Sequence, residues 1–327
     1  MRIAVTGSIA TDHLMTFPGR IVDQLIPGRL DRVSLSFLAD DLEVRRGGVA
    51  ANISYGLGGL GLSPVLVGAV GSDFGEYEVW LKEHGVDTGA VHVSALRQTA
   101  RFLCLTDQDA NQIAAFYAGA MTEARDIDLG RLDPRPDLVV VAPDDPEAML
   151  RHTARCRALG IAFAADPSQQ LASLDRDRTR TLVTGARWLF TNEYEATLLL
   201  ERTGWSHDDV LGHVGAWVTT LGPDGVRVEE ADRPAFTVPA VAGVPVVDPT
   251  GVGDAFRAGF LAALAWGLNR PRAAQLGCAM ASLALSEVGS QAYEPDPGRL
   301  TTVVAASYGT EAAEDLAAHL GGVPCPR

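Results

Sequence analysis

The segment Val246-Val247-Asp248-Pro249-Thr250-Gly251-Val252-Gly253-Asp254-Ala255-Phe256 sets a carboxylate among closely spaced glycines, where an apolar strand end turns into a long apolar helix. Glycines there let backbone amides converge without Cβ obstruction. The amides of Gly251, Val252 and Gly253 then lie at the positive end of a helix, a ready place for an anion. Taken alone, Asp254 reads equally well as the helix N-cap. Beside an anion hole it suits a second task, accepting the proton of a hydroxyl while the amides hold a transferring phosphoryl group.

Two further segments join it. Thr219-Thr220-Leu221-Gly222-Pro223-Asp224-Gly225-Val226 is a strand end followed by a glycine-bracketed turn, suited to backing the phosphates of a nucleotide, though alone it is a hairpin turn. Asn192 and Glu195 stand three apart at a strand-to-helix junction. That spacing puts both on one helical face, where a carboxylate could hold a hydrated Mg²⁺. Alone, this is a capped helix start. All three segments fall at expected carboxyl ends of strands, where open α/β sheets bind ligands. Joint occurrence is what points to a site.

The elements around them alternate. Apolar runs at Ile3–Thr6, Val65–Val70, Leu138–Ala142, Ala162–Ala165, Trp188–Thr191 and Trp217–Leu221 read as strands. Amphipathic stretches such as Pro146–Leu159 and Asp254–Trp266 read as helices between them. The pattern predicts an α/β fold with a mostly parallel central sheet flanked by helices. Residues 12–46 and 91–117 break the alternation with short strand-like pieces and are expected to form one small β lid. Residues 1–11, 47–90 and 118–327 would then make the main domain, within the size of one large domain plus an appendage for 327 residues. Gly56-Leu57-Gly58-Gly59-Leu60-Gly61 spells a dinucleotide fingerprint, but it closes a helical stretch and precedes a strand, which is the reverse polarity.

Composition removes other classes. A net charge of −14, from 41 acidic against 27 basic residues, opposes nucleic acid and anionic membrane surfaces. No run approaches the roughly 20 apolar residues of a membrane span, and the N-terminus reads directly as a strand rather than a signal peptide. Lys82 is the only lysine, and neither a P-loop nor a protein-kinase strand surrounds it. Cys104, Cys156, Cys278 and Cys325 are widely separated, which indicates neither a disulfide framework nor a zinc site and suits a reducing cytoplasm.

With these residues in view, Asp248 to Phe256 resembles the C-terminal signature of the ribokinase-like (PfkB) carbohydrate kinases. Gly47-Gly48-Val49-Ala50-Ala51-Asn52 resembles their N-terminal signature, and the resemblance runs over essentially the whole chain. It implies MgATP as donor, Asp254 as base on the acceptor hydroxyl, and Gly251, Val252 and Gly253 as the anion hole. Asn192, Thr220–Gly225 and Gly253 would face the nucleotide, and Glu195 would hold Mg²⁺ through water. Asp248 and Thr250 match positions that hold a monovalent cation in some members, which would make the enzyme potassium-activated. Pro249 and Val252 depart from the residues many members carry. Within the family the N-terminal third is similar to actinobacterial adenosine kinases, in Gly7–Met15, Val33–Leu38, Arg101-Phe102, Ala115–Tyr117 and Ala165–Gln170. That likeness implies adenosine as acceptor. Asp12, Asn52 and Gly48 would meet the ribose, Phe102 and Phe116 would sandwich the purine, and Ser8, Ser36, Gln169 and Gln170 would supply polar groups. A kinase of a sugar or another nucleoside, and a silent nucleoside sensor, are the alternatives. Exposed lid strands would pair two copies as a homodimer.

Overall fold

Leu-Val-Val-Val at 138–141 is buried on both faces, as an apolar strand must be when helices cover a parallel sheet on each side. It is one of six parallel strands in the central sheet of this computed structural model, which describes residues 1–25 and 34–320. The chain-order strands are β1 (Ile3–Thr6), β2 (Ala10–Thr16), β3 (Asp41–Gly47), β4 (Val65–Val67), β5 (Ala69–Val70), β6 (His92–Val93) and β7 (Ala100–Thr106). They continue with β8 (Gln112–Tyr117), β9 (Leu138–Val141), β10 (Ala162–Ala165), β11 (Trp188–Asn192), β12 (Trp217–Thr220), β13 (Val226–Glu230) and β14 (Arg233–Val238). The main sheet runs β14-β13-β12-β11-β10-β9-β1-β4, parallel from β12 to β4, with β13 and β14 added as an antiparallel hairpin. One hydrophobic cluster fills each face.

A second sheet, β3-β2-β7-β8, stands apart. Its strands come from the two irregular regions of the sequence, although β6 pairs instead with β5 beside the main sheet. Residues 26–33, inside the first region, and Gly321–Arg327, with Cys325, lie outside the described residues.

Local chemistry sets several boundaries. The helix Pro146–Leu159 starts where Asp145 accepts the amides of Glu147 and Ala148 and proline takes the first position, and it ends at left-handed Gly160. The reversed fingerprint is a helix end, as its polarity required: Val49–Gly59 is helical, and Gly61 has φ +77°. Val65–Val70, expected as one strand, divides at Gly68, where a Cβ would come within 2.7 Å of the Gly7 carbonyl. The three described cysteines are buried free thiols. Among the described residues, no helix is long and apolar enough to cross a membrane.

Candidate active site

The helix Val252–Ala265 opens at Gly251, whose φ of +76° and lack of a Cβ are both required, because a methyl there would lie 2.4 Å from Ser290 Cβ. The first intrahelical hydrogen bond is donated by the Ala255 amide to the Gly251 carbonyl. The amides of Gly253 and Asp254 therefore have no acceptor inside the helix, and that of Val252 has only a long contact with Pro249. Gly251, not Asp254, occupies the N-cap position, and no side chain caps the helix. The capping alternative for Asp254 falls.

The Asp254 carboxylate instead accepts a 2.9 Å hydrogen bond from Asn52 Nδ2. Asn52 has no freedom to turn its amide, because its Oδ1 accepts from Ser290 Oγ at 3.0 Å and Gln291 Nε2 at 2.9 Å. Gln291 also donates to the buried Tyr77 hydroxyl, which donates to the Gly47 carbonyl. Sequence reasoning missed Tyr77, Ser290 and Gln291. Ser290 and Gln291 offer only their position after the helix Arg270–Leu285, and Tyr77 only its place in the helix Gly75–Glu83, neither of which signals chemistry. Burial pushes the Asp254 carboxyl up to about 6, against the downward pull of Arg257 and of the Asn52 hydrogen bond.

A cavity of about 320 Å³ opens over this carboxylate, at the lower end of the ~300–1,000 Å³ of small-molecule sites. It brings together Ser8, Asp12, Gly48, Asn52, Phe102, Phe116, Gln169, Gln170, Gly251 and Asp254. Ser36 is not with them; it lies exposed on the segment before β3. Gly48 has φ +95°, and a Cβ there would meet the Ser8 carbonyl at 2.6 Å, so the helix N-terminus and the β1–β2 loop touch through bare backbone. Ser8 Oγ accepts the Val49 amide, and Gln170 Nε2 donates to the Asp144 carbonyl, so both also brace the cavity wall. Gln169 accepts from Ser168 Oγ.

On the small sheet, register pairs Asp12 with Arg45 on one side and Phe102 on the other, and Phe102 with Phe116. Directly opposed residues point to the same face of a sheet. Phe102 and Phe116 are thus neighbours on one face of the small sheet, an aromatic wall of the cavity. Both line the cavity, and Phe116 is 53% exposed. Burial raises the Asp12 carboxyl, while Arg45 opposes that shift and Asp248 adds to it.

Asn192 and Thr220 are register partners at the ends of β11 and β12. Leu221, Gly222, Pro223 and Asp224 form the turn into β13, closed by the Leu221 amide on the Gly225 carbonyl. Gly225 has φ +97° and abuts the Val238 carbonyl, leaving no room for a side chain. Asn192 and Glu195 form a reciprocal capping box: Asn192 Oδ1 accepts the Glu195 amide and Glu195 Oε2 accepts the Asn192 amide, both at 2.8 Å. Glu195 Oε1 has only a 3.3 Å bond from Ser168 Oγ. A held carboxylate with acceptor capacity to spare fits the outer shell of hydrated Mg²⁺, which binds through one or two carboxylates and substrate phosphates.

Asp248 does not fit the monovalent-cation expectation. Its carboxylate accepts the amides of Thr250 and Gly289 and lies 3.3 Å from the Arg45 guanidinium, which already supplies the positive charge. Burial works against these three partners, yet they hold the group below the usual carboxylate range.

Over residues 7–297 the sequence matches the model of the pfkB family carbohydrate kinases. The chain belongs to this family. Among curated relatives, the nucleoside kinase of Methanothermobacter thermautotrophicus is 31% identical, over 81% of this chain and 86% of its own. The nucleoside kinase of Methanocaldococcus jannaschii is 29% identical, over 76% and 82%. A solved structure of Burkholderia thailandensis nucleoside kinase in complex with inosine superposes with a TM-score of 0.82 at 33% identity, covering 94% of this chain and 98% of that one. Ribokinases from several organisms share the fold at about 20% identity, with TM-scores near 0.75.

Proposed function

We propose that this pfkB-family kinase transfers the γ-phosphoryl group of MgATP to the 5′-hydroxyl of a nucleoside, with a purine nucleoside as acceptor. The observation that carries the reading is the cavity itself. Its lining combines an aromatic wall, Phe102 and Phe116, with a carboxylate beside free helix amides; Asp12 is the register neighbour of Phe102, and Asn52 donates to Asp254. A bare sugar needs the polar groups but not the wall. Support comes from the Burkholderia enzyme, solved with inosine and as an ADP-inosine complex, and from the archaeal relatives named nucleoside kinases.

In this reading the ribose is oriented by Asp12 and Asn52, and the purine stacks on the wall. Asp254, at about 6, is mostly ionised at neutral pH yet basic enough to take the proton of the attacking hydroxyl. The amides of Gly253 and Asp254, with that of Val252 turning from Pro249, receive the charge that spreads over the phosphoryl oxygens. The turn Thr220–Gly225 and Asn192 back the nucleotide phosphates. Mg²⁺ held through water by Glu195 would neutralise phosphate charge when bound. Potassium is assigned no role.

The small sheet acts as a lid, excluding water when nucleoside and ATP are both present. Among the described residues, its outer strands β3 and β8 have free edges with exposed Leu42, Val44, Ile113 and Tyr117, which two copies would cover by pairing.

The test is ADP release by purified protein with MgATP against adenosine, inosine, guanosine, cytidine, ribose and fructose, with the nucleotide product identified. Adenosine, the acceptor to which the sequence points, is expected to give AMP. Turnover on the sugars alone would overturn the nucleoside reading, and tight nucleoside binding without turnover would make the protein a sensor.

A further inference from the structure

Arg257 lies one turn into the helix Val252–Ala265 with only 8% of its side chain reaching solvent. Its Nη1 donates to the Gly253 carbonyl at 3.0 Å. Its Nη2 donates to Asp166 Oδ1 at 2.6 Å, and its Nε lies 2.6 Å from Asp166 Oδ2. Asp166, 1% exposed, opens the loop after β10 that carries Gln169 and Gln170 into the nucleoside cavity. One guanidinium thus holds the turn on the phosphoryl side and the loop on the nucleoside side, 91 residues apart in sequence.

Stability does not account for the pair. Apolar residues of similar volume commonly stabilise such a position as well or better, because two buried charges lose their hydration. The charge is placed where it acts on other charges. The titratable and charged groups around Asp254 are Arg257 on its own helix, Asp166 after β10, Glu195 on the helix after β11, the buried phenols Tyr77 and Tyr293, and Asp12 of β2 in the same cavity. Arg257 is the cation that faces Asp254, Asp166 and Glu195.

We propose that Arg257 is a positioning residue for phosphoryl transfer, joining the anion-binding turn to the nucleoside-binding loop as one body and supplying the counter-charge for the base. The proposal rests on the reading of Asp254 as that base. Burial pushes Asp254 upward and Arg257 is the largest influence drawing it back. Removing Arg257 therefore raises Asp254. Removing the Asp166 charge frees the guanidinium to act on Asp254 and lowers it.

The experiment measures kcat and the KM values for adenosine and MgATP between about pH 5 and 9, in the wild type, Arg257→Met, Arg257→Lys and Asp166→Asn. Arg257→Met is expected to move the acid limb of kcat about one pH unit upward, the lower range for an opposite charge at close distance, and Asp166→Asn to move it downward. Arg257→Lys keeps a charge but cannot bridge both partners; it should retain the limb near its wild-type position while the adenosine KM rises about tenfold, one missing close contact's worth. Shifts of the same sign in Arg257→Met and Asp166→Asn, or lower melting temperatures with limbs and KM unchanged, would reduce the pair to scaffolding and overturn the proposal. If Arg257→Met does not fold, the downward shift in Asp166→Asn and the split in Arg257→Lys decide alone. A wild-type profile with no acid limb, or one that survives in Asp254→Asn, would locate the failure in the base assignment instead.

Discussion

Adding one methyl group at Gly251 separates the anion-binding turn from general stability. In Gly251→Ala the residue must hold φ near +76°, which adds about 1–2 kcal/mol for a non-glycine residue. Its Cβ would also lie 2.4 Å from Ser290 Cβ and 2.9 Å from Ser290 Cα, distances that backbone must relieve by moving. Ser290 donates to Asn52, and Asn52 donates to Asp254, so the displacement reaches the base as well as the amides. Loss of one well-placed donor to a developing oxyanion lowers kcat by about 10²–10³-fold, and that is the effect expected here. Gly160→Ala is the matched control. Gly160 has φ +65° with nothing within 4 Å of its added methyl and lies at a helix end away from the cavity, so it bears the backbone penalty alone. Urea unfolding should show Gly160→Ala destabilised by about 1–2 kcal/mol with normal kcat. Gly251→Ala should be destabilised further, with kcat down at least about a hundredfold. Equal kcat in the two variants would refute the role of the turn.

Phe116→Ala should raise the KM for adenosine by about 5–150-fold, the equivalent of roughly 1–3 kcal/mol per stacked base, while leaving the KM for MgATP unchanged; steady-state kinetics with each substrate varied reads both. Gly48→Ala, with φ +95° and the Ser8 carbonyl 2.6 Å from the new methyl, should destabilise by more than the ~1–2 kcal/mol of the backbone alone, seen as a lower urea midpoint. Asp254 titrates at about 6 folded against 3.8 as a free side chain, so the native state binds the proton more tightly and this group's contribution to stability declines as pH rises through that window. Asp254→Asn should thus be more stable than wild type at pH 7, by at most about 3 kcal/mol, and no more stable below pH 4, which thermal melts across pH would show. Sedimentation at micromolar concentration should give a dimer that Val44→Glu converts to monomer.

What was legible in the sequence is what neighbours decide. Ile3–Thr6, Ala162–Ala165 and Pro146–Leu159 came out to the residue because apolar runs, a capping Asp145, a proline and Gly160 are local signals. The Gly251–Asp254 turn was legible for the same reason, since its glycines answer to backbone geometry within four residues. The strand β3 was not, because Asp41–Gly47 reads Asp-Leu-Glu-Val-Arg-Arg-Gly and lies mostly exposed on a sheet edge, with no buried alternation to mark it. Arg257–Asp166 and the Ser290–Gln291 hold on Asn52 join residues 91 and about 240 apart, and no spacing rule spans such distances. Phe102 and Phe116 were placed in the cavity by likeness to a family, but their place as neighbours on one sheet face depends on strand register, which a single sequence does not disclose. Ser36 came from the same likeness and lies away from the cavity.

The most direct test of the account compares wild-type protein with Asp254→Asn on MgATP and adenosine at pH 7.5, following AMP formation and, separately, adenosine binding by calorimetry. AMP is expected from the wild type, with kcat at least about a hundredfold lower in the variant and nearly equal adenosine affinity. AMP formation at similar rates by both proteins would contradict it.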